Sequence, residues 1–109
     1  MINNTKALSQ FLEYHTSEEP AILKKLNRET HLRLNKPHMI SGHVQGRLLS
    51  MLSKLMQPNY VLELGTFSGY GTYCLYDGLA PGGVVYTIES NPEIAHFAQQ
   101  FFQDSDIRS

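Results

Sequence analysis

The chain has 109 residues, is 41% hydrophobic and carries a formal net charge of −1. That balance gives no basic excess to attract nucleic acid and no polybasic run to hold a membrane surface. No apolar run approaches the ~18 residues of a membrane span, and Met1 to Gln10 is polar, without the apolar stretch of a secretory signal, so the expected location is cytoplasmic.

Ala7, Leu8, Phe11 and Leu12 fall on one face of a helix predicted over Thr5 to Tyr14. Ser17 is the expected N-cap of a second helix, with Glu18 and Glu19 in a first turn where the dipole favours acids, and with Pro20 tolerated early. Ile22, Leu23, Leu26 and Leu34 would be its buried side, and Asn35-Lys36-Pro37 its stop. Lys24, Lys25 and Arg28, interleaved with Glu29, read as a solvated face. Ser41 is the next expected N-cap. Val44, Leu48, Met51, Leu52 and Leu55 then recur at i, i+4, i+7, i+8 and i+11, so this stripe, with Met56, is expected in the core.

Tyr60 to Leu64 reads as a short parallel strand covered on both faces. A glycine-rich turn, Gly65 to Gly69, leads into a helix over Tyr70 to Leu79, and Pro81-Gly82-Gly83 into a second strand, Val84 to Ile88. Asn91 or Ser90 is expected to cap a last helix with Ile94, Phe97, Ala98, Phe101 and Phe102 inward, Asp104 and Asp106 lying at a frayed end. The pattern is α/β: a Rossmann-like β-α-β-α unit (39–109) behind a helical segment (1–38). The lone Cys74 is read as a small buried hydrophobe, and Tyr70 and Tyr73 as packing residues. His15, His31, His38, His43 and His96 lack metal-ligand spacing.

The chemistry gathers at the strand ends. Glu63 closes in on the end of the first strand, Gly65 and Gly69 allow close backbone approach, and Glu89 follows the second strand. Ligands of open α/β sheets bind outside the carboxyl ends of the strands, where an acid can accept from both hydroxyls of a ribose. The glycine spacing is Gly65-x-x-x-Gly69-x-Gly71, with Phe67 where a dinucleotide motif needs glycine. Glu63 would repel a pyrophosphate and suit an ammonium. S-adenosylmethionine, with ammonium, sulfonium and ribose but no phosphate, fits better than a nicotinamide dinucleotide. A plain structural βα turn with solvent-facing acids is the competing reading.

Val61-Leu62-Glu63-Leu64-Gly65-Thr66-Phe67-Ser68-Gly69-Tyr70, Thr87-Ile88-Glu89-Ser90-Asn91-Pro92-Glu93 and Met39-Ile40-Ser41-Gly42-His43-Val44-Gln45-Gly46 resemble motifs of the catechol and caffeoyl-CoA O-methyltransferase family, most closely its bacterial members, over about residues 28 to 103. The resemblance implies a Rossmann-like fold and methyl transfer from S-adenosylmethionine to a hydroxyl of a small, phenolic acceptor. It implies that Met39 and Ser41 border the methionine end of the cofactor, Glu63 its amino-acid part, Gly65 and Phe67 the turn, and Glu89 the ribose. Where the family usually has a serine that reaches the cofactor carboxylate, this chain has Gly71, with Thr72 beside it.

Family members continue for roughly another hundred residues, which carry the ligands of a divalent metal (Mg2+), a catalytic lysine and the adenine contacts. The expectation is therefore a truncated, N-terminal half with no catalytic residue of its own. The bare edge of its first strand favours a homodimer. The alternative is a non-catalytic module that binds S-adenosylmethionine or acts in assembly, with a dinucleotide-binding oxidoreductase fragment as a more distant rival.

Overall fold

The computed structural model describes residues 5–105 and 107; the expectation for Asp106 lies outside them. The elements run α1 (Thr5–His15), α2 (Ala21–Arg33), a 3-10 turn (Pro37–Met39), α3 (Gly42–Met56), β1 (Tyr60–Leu64), α4 (Tyr70–Tyr76), β2 (Val84–Ile88) and α5 (Pro92–Asp104). The two strands pair in parallel, Tyr60 opposite Val84 through Leu64 opposite Ile88. Parallel neighbours need a crossover, which α4 supplies. The sheet is short and the helices dominate, as in part of a Rossmann-like domain.

Several caps differ from the sequence expectation. Pro20, not Ser17, occupies the N-cap of α2, and no side chain caps it. Proline has a fixed φ suited to helix entry and no N–H to satisfy. Glu19 is thereby left in the connection before α2, where its carboxylate accepts the hydroxyl of Tyr70. Ser41 is the N-cap of α3, yet its hydroxyl makes no capping bond. Helix α4 stops at Tyr76, short of the expected Leu79, with Asp77 and Gly78 in a turn. Asn91 caps α5: its Oδ1 accepts from the backbone N–H of Glu93 at 3.0 Å and of Ile94 at 3.4 Å. Asp104 remains within that helix.

The core sits on one side of the sheet. Leu23, Leu26, Tyr70 and Cys74 are fully buried, with Ile22, Ile40, Leu49, Tyr73, Phe97 and Phe101 packed around them. The expected core stripe of α3 is not in it. Met51 is 52% and Leu55 75% exposed, and Leu48, Leu52 and Met56 are exposed as well. The face of α3 that buries is the small one, Gly46, Ser50 and Ser53. Close approach of α4 explains the choice: a Cβ on Gly46 would stand 2.6 Å from the Tyr70 ring. Ser53 Oγ donates to the carbonyl of Leu75 at 2.5 Å and Ser50 Oγ to Asp77 Oδ2 at 2.6 Å, satisfying polar groups that the contact buries. The apolar residues of α1 are likewise exposed; none of that helix is buried.

The sheet too is covered on one face only, against the expectation of cover on both. Val61, Glu63, Val85 and Thr87 are half-buried beneath the helices, while Tyr60, Leu62, Leu64, Val84, Tyr86 and Ile88 are exposed on the other face. Strand alternation assigns these two sets to opposite faces. It also puts Glu63 and Thr87 on the covered face, at the carboxyl ends of their strands.

Candidate functional site at the carboxyl ends of the strands

The turn after β1 is built from three residues with positive φ: Gly65 at 91°, Phe67 at 50° and Gly69 at 96°. Gly69 is required twice over, because a Cβ there would also lie 2.8 Å from the Phe102 ring. Phe67 is a bulky residue in the left-handed region, a conformation that costs about 1–3 kcal/mol unless its surroundings impose it. The imposing contact is Glu89: Oε1 accepts from the Phe67 N–H at 2.9 Å, and Oε2 from the Asn91 N–H at 3.1 Å. Glu89 therefore turns toward the bend. The carbonyl of Ile88 closes the base of the turn by accepting from Gly65 and Thr66.

Met39, Ser41, Glu63, Gly65, Phe67 and Gly71 line one niche of about 40 Å³, together with Ile40, Thr66, Ser68 and Tyr70. Glu89 lies across the turn in a larger open hollow of about 400 Å³, with Thr66, Thr87 and Phe102. Six of the seven residues singled out from the sequence thus share one niche, and the seventh stands on the far side of Thr66. The niche is narrow, and the open hollow beside Glu89 is the roomier of the two.

The sequence reading noted Thr72 only as the neighbour of Gly71 and did not single out Thr66 or Thr87. Thr72 and Thr87 both donate to Glu63 Oε1, Thr87 at 2.7 Å, and the hydroxyls of Thr66 and Thr87 are 2.5 Å apart. Thr66 and Thr72 are buried. Their only signal in the sequence was position: Thr87 stands opposite Glu63 in the strand register, which no single strand reveals. Ser68, fully buried beside the niche, has a hydroxyl with no hydrogen-bond partner. His43 uses Nε2 to contact the carbonyl of Ser17 at 2.5 Å, fastening α3 to the connection before α2.

Tyr70 is a core residue whose hydroxyl is pushed well above its usual range, first by burial and then by Glu19. For Asp77, burial alone would raise the carboxyl, but the Ser50 hydroxyl and the Lys54 ammonium, 3.2 Å away, together hold it below the usual carboxylate range. Burial pushes the Cys74 thiol from 9.0 up to about 11, against the opposing pull of Arg47. A thiol whose folded value is raised stabilises the fold fully below pH about 9 and loses that contribution as pH climbs toward 11. Thermal melts should therefore show stability falling across that window, and Cys74→Ala should remove that part of the fall. Iodoacetamide at pH 8 should label the folded chain far more slowly than the urea-unfolded one. Among the described residues, no group of three or more His, Cys, Asp or Glu side chains could hold a metal ion. No helix among them is long and apolar enough to cross a membrane.

A family model described as O-methyltransferase matches residues 13–108. A curated catechol O-methyltransferase of Mycobacterium tuberculosis is 31% identical over 90 residues, 83% of this chain and 40% of that protein. A transmembrane O-methyltransferase of Propithecus coquereli is 39% identical over 62 residues, 57% of this chain and 23% of that protein. Among solved structures, an O-methyltransferase from Bacillus cereus in complex with S-adenosylhomocysteine superposes with a TM-score of 0.82 at 27% identity, covering 94% of this chain and 46% of that one. The chain spans less than half the length of each of these proteins.

Proposed function

The chain belongs to the O-methyltransferase family, and on that premise we propose that its βα turn binds S-adenosylmethionine for methyl transfer to a hydroxyl of a small, phenolic acceptor. The observation that carries the reading is Glu89: its carboxylate is fixed at the turn by two backbone N–H groups, beside a hollow, at the strand end where a ribose is read. Glu63, in the niche on the other side of Thr66, supplies negative charge for the donor's ammonium, with Met39, Ser41, Gly65, Phe67 and Gly71 around it. The donor supplies an electrophilic methyl. The residues present here bind and orient it, which lowers the entropic part of the barrier. No step is assigned to a metal, because the described residues gather no ligand set for one.

Calorimetry of the 109-residue chain with S-adenosylhomocysteine and with NAD tests the reading. Binding of the first alone is the expected result; binding of NAD, or of neither, overturns it. The homodimer belongs to the same proposal. Among the described residues, β1 and β2 have one neighbour each, and an apolar face of Leu62, Leu64, Tyr86 and Ile88 lies open on the sheet. Such edges and faces favour pairing with another chain. Sedimentation should show association that rises with concentration and weakens in Leu62→Lys; a monomer at every concentration would refute it.

A further inference from the structure

A carboxylate held at one oxygen presents the other, and Glu63 is held in this way. Among the described residues, its two side-chain donors, Thr72 and Thr87, both bond to Oε1. Thr87 is itself steadied by the hydroxyl of Thr66. Oε2 is left facing Gly71 and Ser41: a Cβ built on Gly71 would lie 2.9 Å from Glu63 Oε2 and 3.2 Å from Ser41 Oγ. The end of a free glutamate could swing aside from such an atom at little cost. This one is anchored by two threonines on different elements, α4 and β2, so it cannot move without breaking a charge-assisted hydrogen bond.

Resting on the reading of the niche as the amino-acid end of an adenosyl site, we infer that Thr72 is a positioning residue that aims Glu63 Oε2 at the ligand's ammonium, and that Gly71 is the residue this arrangement requires. Thr72 is not itself among the residues that line the niche; it acts through Glu63. The two adjacent positions then work as a pair. A side chain at 71 and a hydroxyl at 72 compete for the same carboxylate. A serine introduced at 71 would therefore not add an anchor while Thr72 is present. It would push Glu63 off its aim.

Two ligands separate positioning from general structure. S-adenosylhomocysteine carries the amino-acid end; 5′-methylthioadenosine has the same nucleoside and thioether without it. In calorimetry of the 109-residue chain, Thr72→Val is expected to weaken S-adenosylhomocysteine about tenfold, the cost of one hydrogen bond to a charged group. It should leave 5′-methylthioadenosine unchanged, and Thr72→Ser should retain the wild-type affinity for both. Gly71→Ser should weaken S-adenosylhomocysteine alone, and Gly71→Ser with Thr72→Val should lose less than the product of the two single effects, because both act on one carboxylate. Equal weakening of both ligands by Thr72→Val, no weakening at all, failure of Thr72→Ser to restore binding, or tighter binding in Gly71→Ser would each overturn the inference. A wild-type chain that binds 5′-methylthioadenosine but gains nothing from the amino-acid end would overturn it while leaving the nucleoside site standing. A wild-type chain that binds neither ligand would instead remove the adenosyl reading itself.

Discussion

Glu89→Ala should abolish measurable binding of S-adenosylhomocysteine, a loss of about a hundredfold or more. The size follows from what the carboxylate does at once. It accepts from the Phe67 N–H and the Asn91 N–H, so its removal leaves two backbone donors to find water, at about 1–3 kcal/mol for each that stays buried. It also holds Phe67 at a φ of 50°, a geometry that relaxes once the restraint is gone. The surface proposed to receive the ribose and the turn beneath it are thus lost together. Glu89→Gln keeps one carbonyl acceptor but sets an NH2 against one of the two N–H groups, so it should retain only a small part of the affinity. Both affinity and melting temperature are to be measured. A Glu89→Ala chain that binds as tightly as the wild type would end the assignment of the ribose to this strand end.

The largest effect on stability is expected from Gly78→Ala. A Cβ there would lie 2.2 Å from the backbone nitrogen of Lys54 and 2.2 Å from the carbonyl carbon of Ser53. Neither atom can rotate away, so α3 and the end of α4 must separate. Separation would strain the Ser53–Leu75 and Ser50–Asp77 hydrogen bonds and the Lys54–Asp77 ion pair, which all cross the same seam. Overpacking of this kind costs about 1–3 kcal/mol where side chains can adjust, and more where backbone meets backbone. A fall in melting temperature of about 15 °C or more is expected for a domain of this size. Gly82→Ala is the control: its φ is 78°, but nothing lies within 4 Å, so it should lose only about 1 kcal/mol from backbone conformation. If the two variants melt together, the close contact of α3 with α4 is not what holds this half of the core.

The order of elements, the two parallel strands, a cap for α5 at Ser90 or Asn91 and the bend between Gly65 and Gly69 were all legible in the sequence. These are local properties: periodicity, β-branching, and backbone angles only glycine reaches easily. It also singled out Glu63 and Glu89, because an acid beside a strand end is legible from spacing alone. What it could not determine was which face of a helix meets a neighbour. The apolar stripe of α3 predicted burial, yet the chain buries Gly46, Ser50 and Ser53, since contact distance is set by the partner helix and small residues permit the closest approach. The same holds for Glu63. Its strand says only that an acid sits there; the pairing of β1 with β2 brings Thr87 beside it, and the crossover through α4 brings Thr72. The aim of that carboxylate is decided by residues distant in the chain, and only packing brings them together.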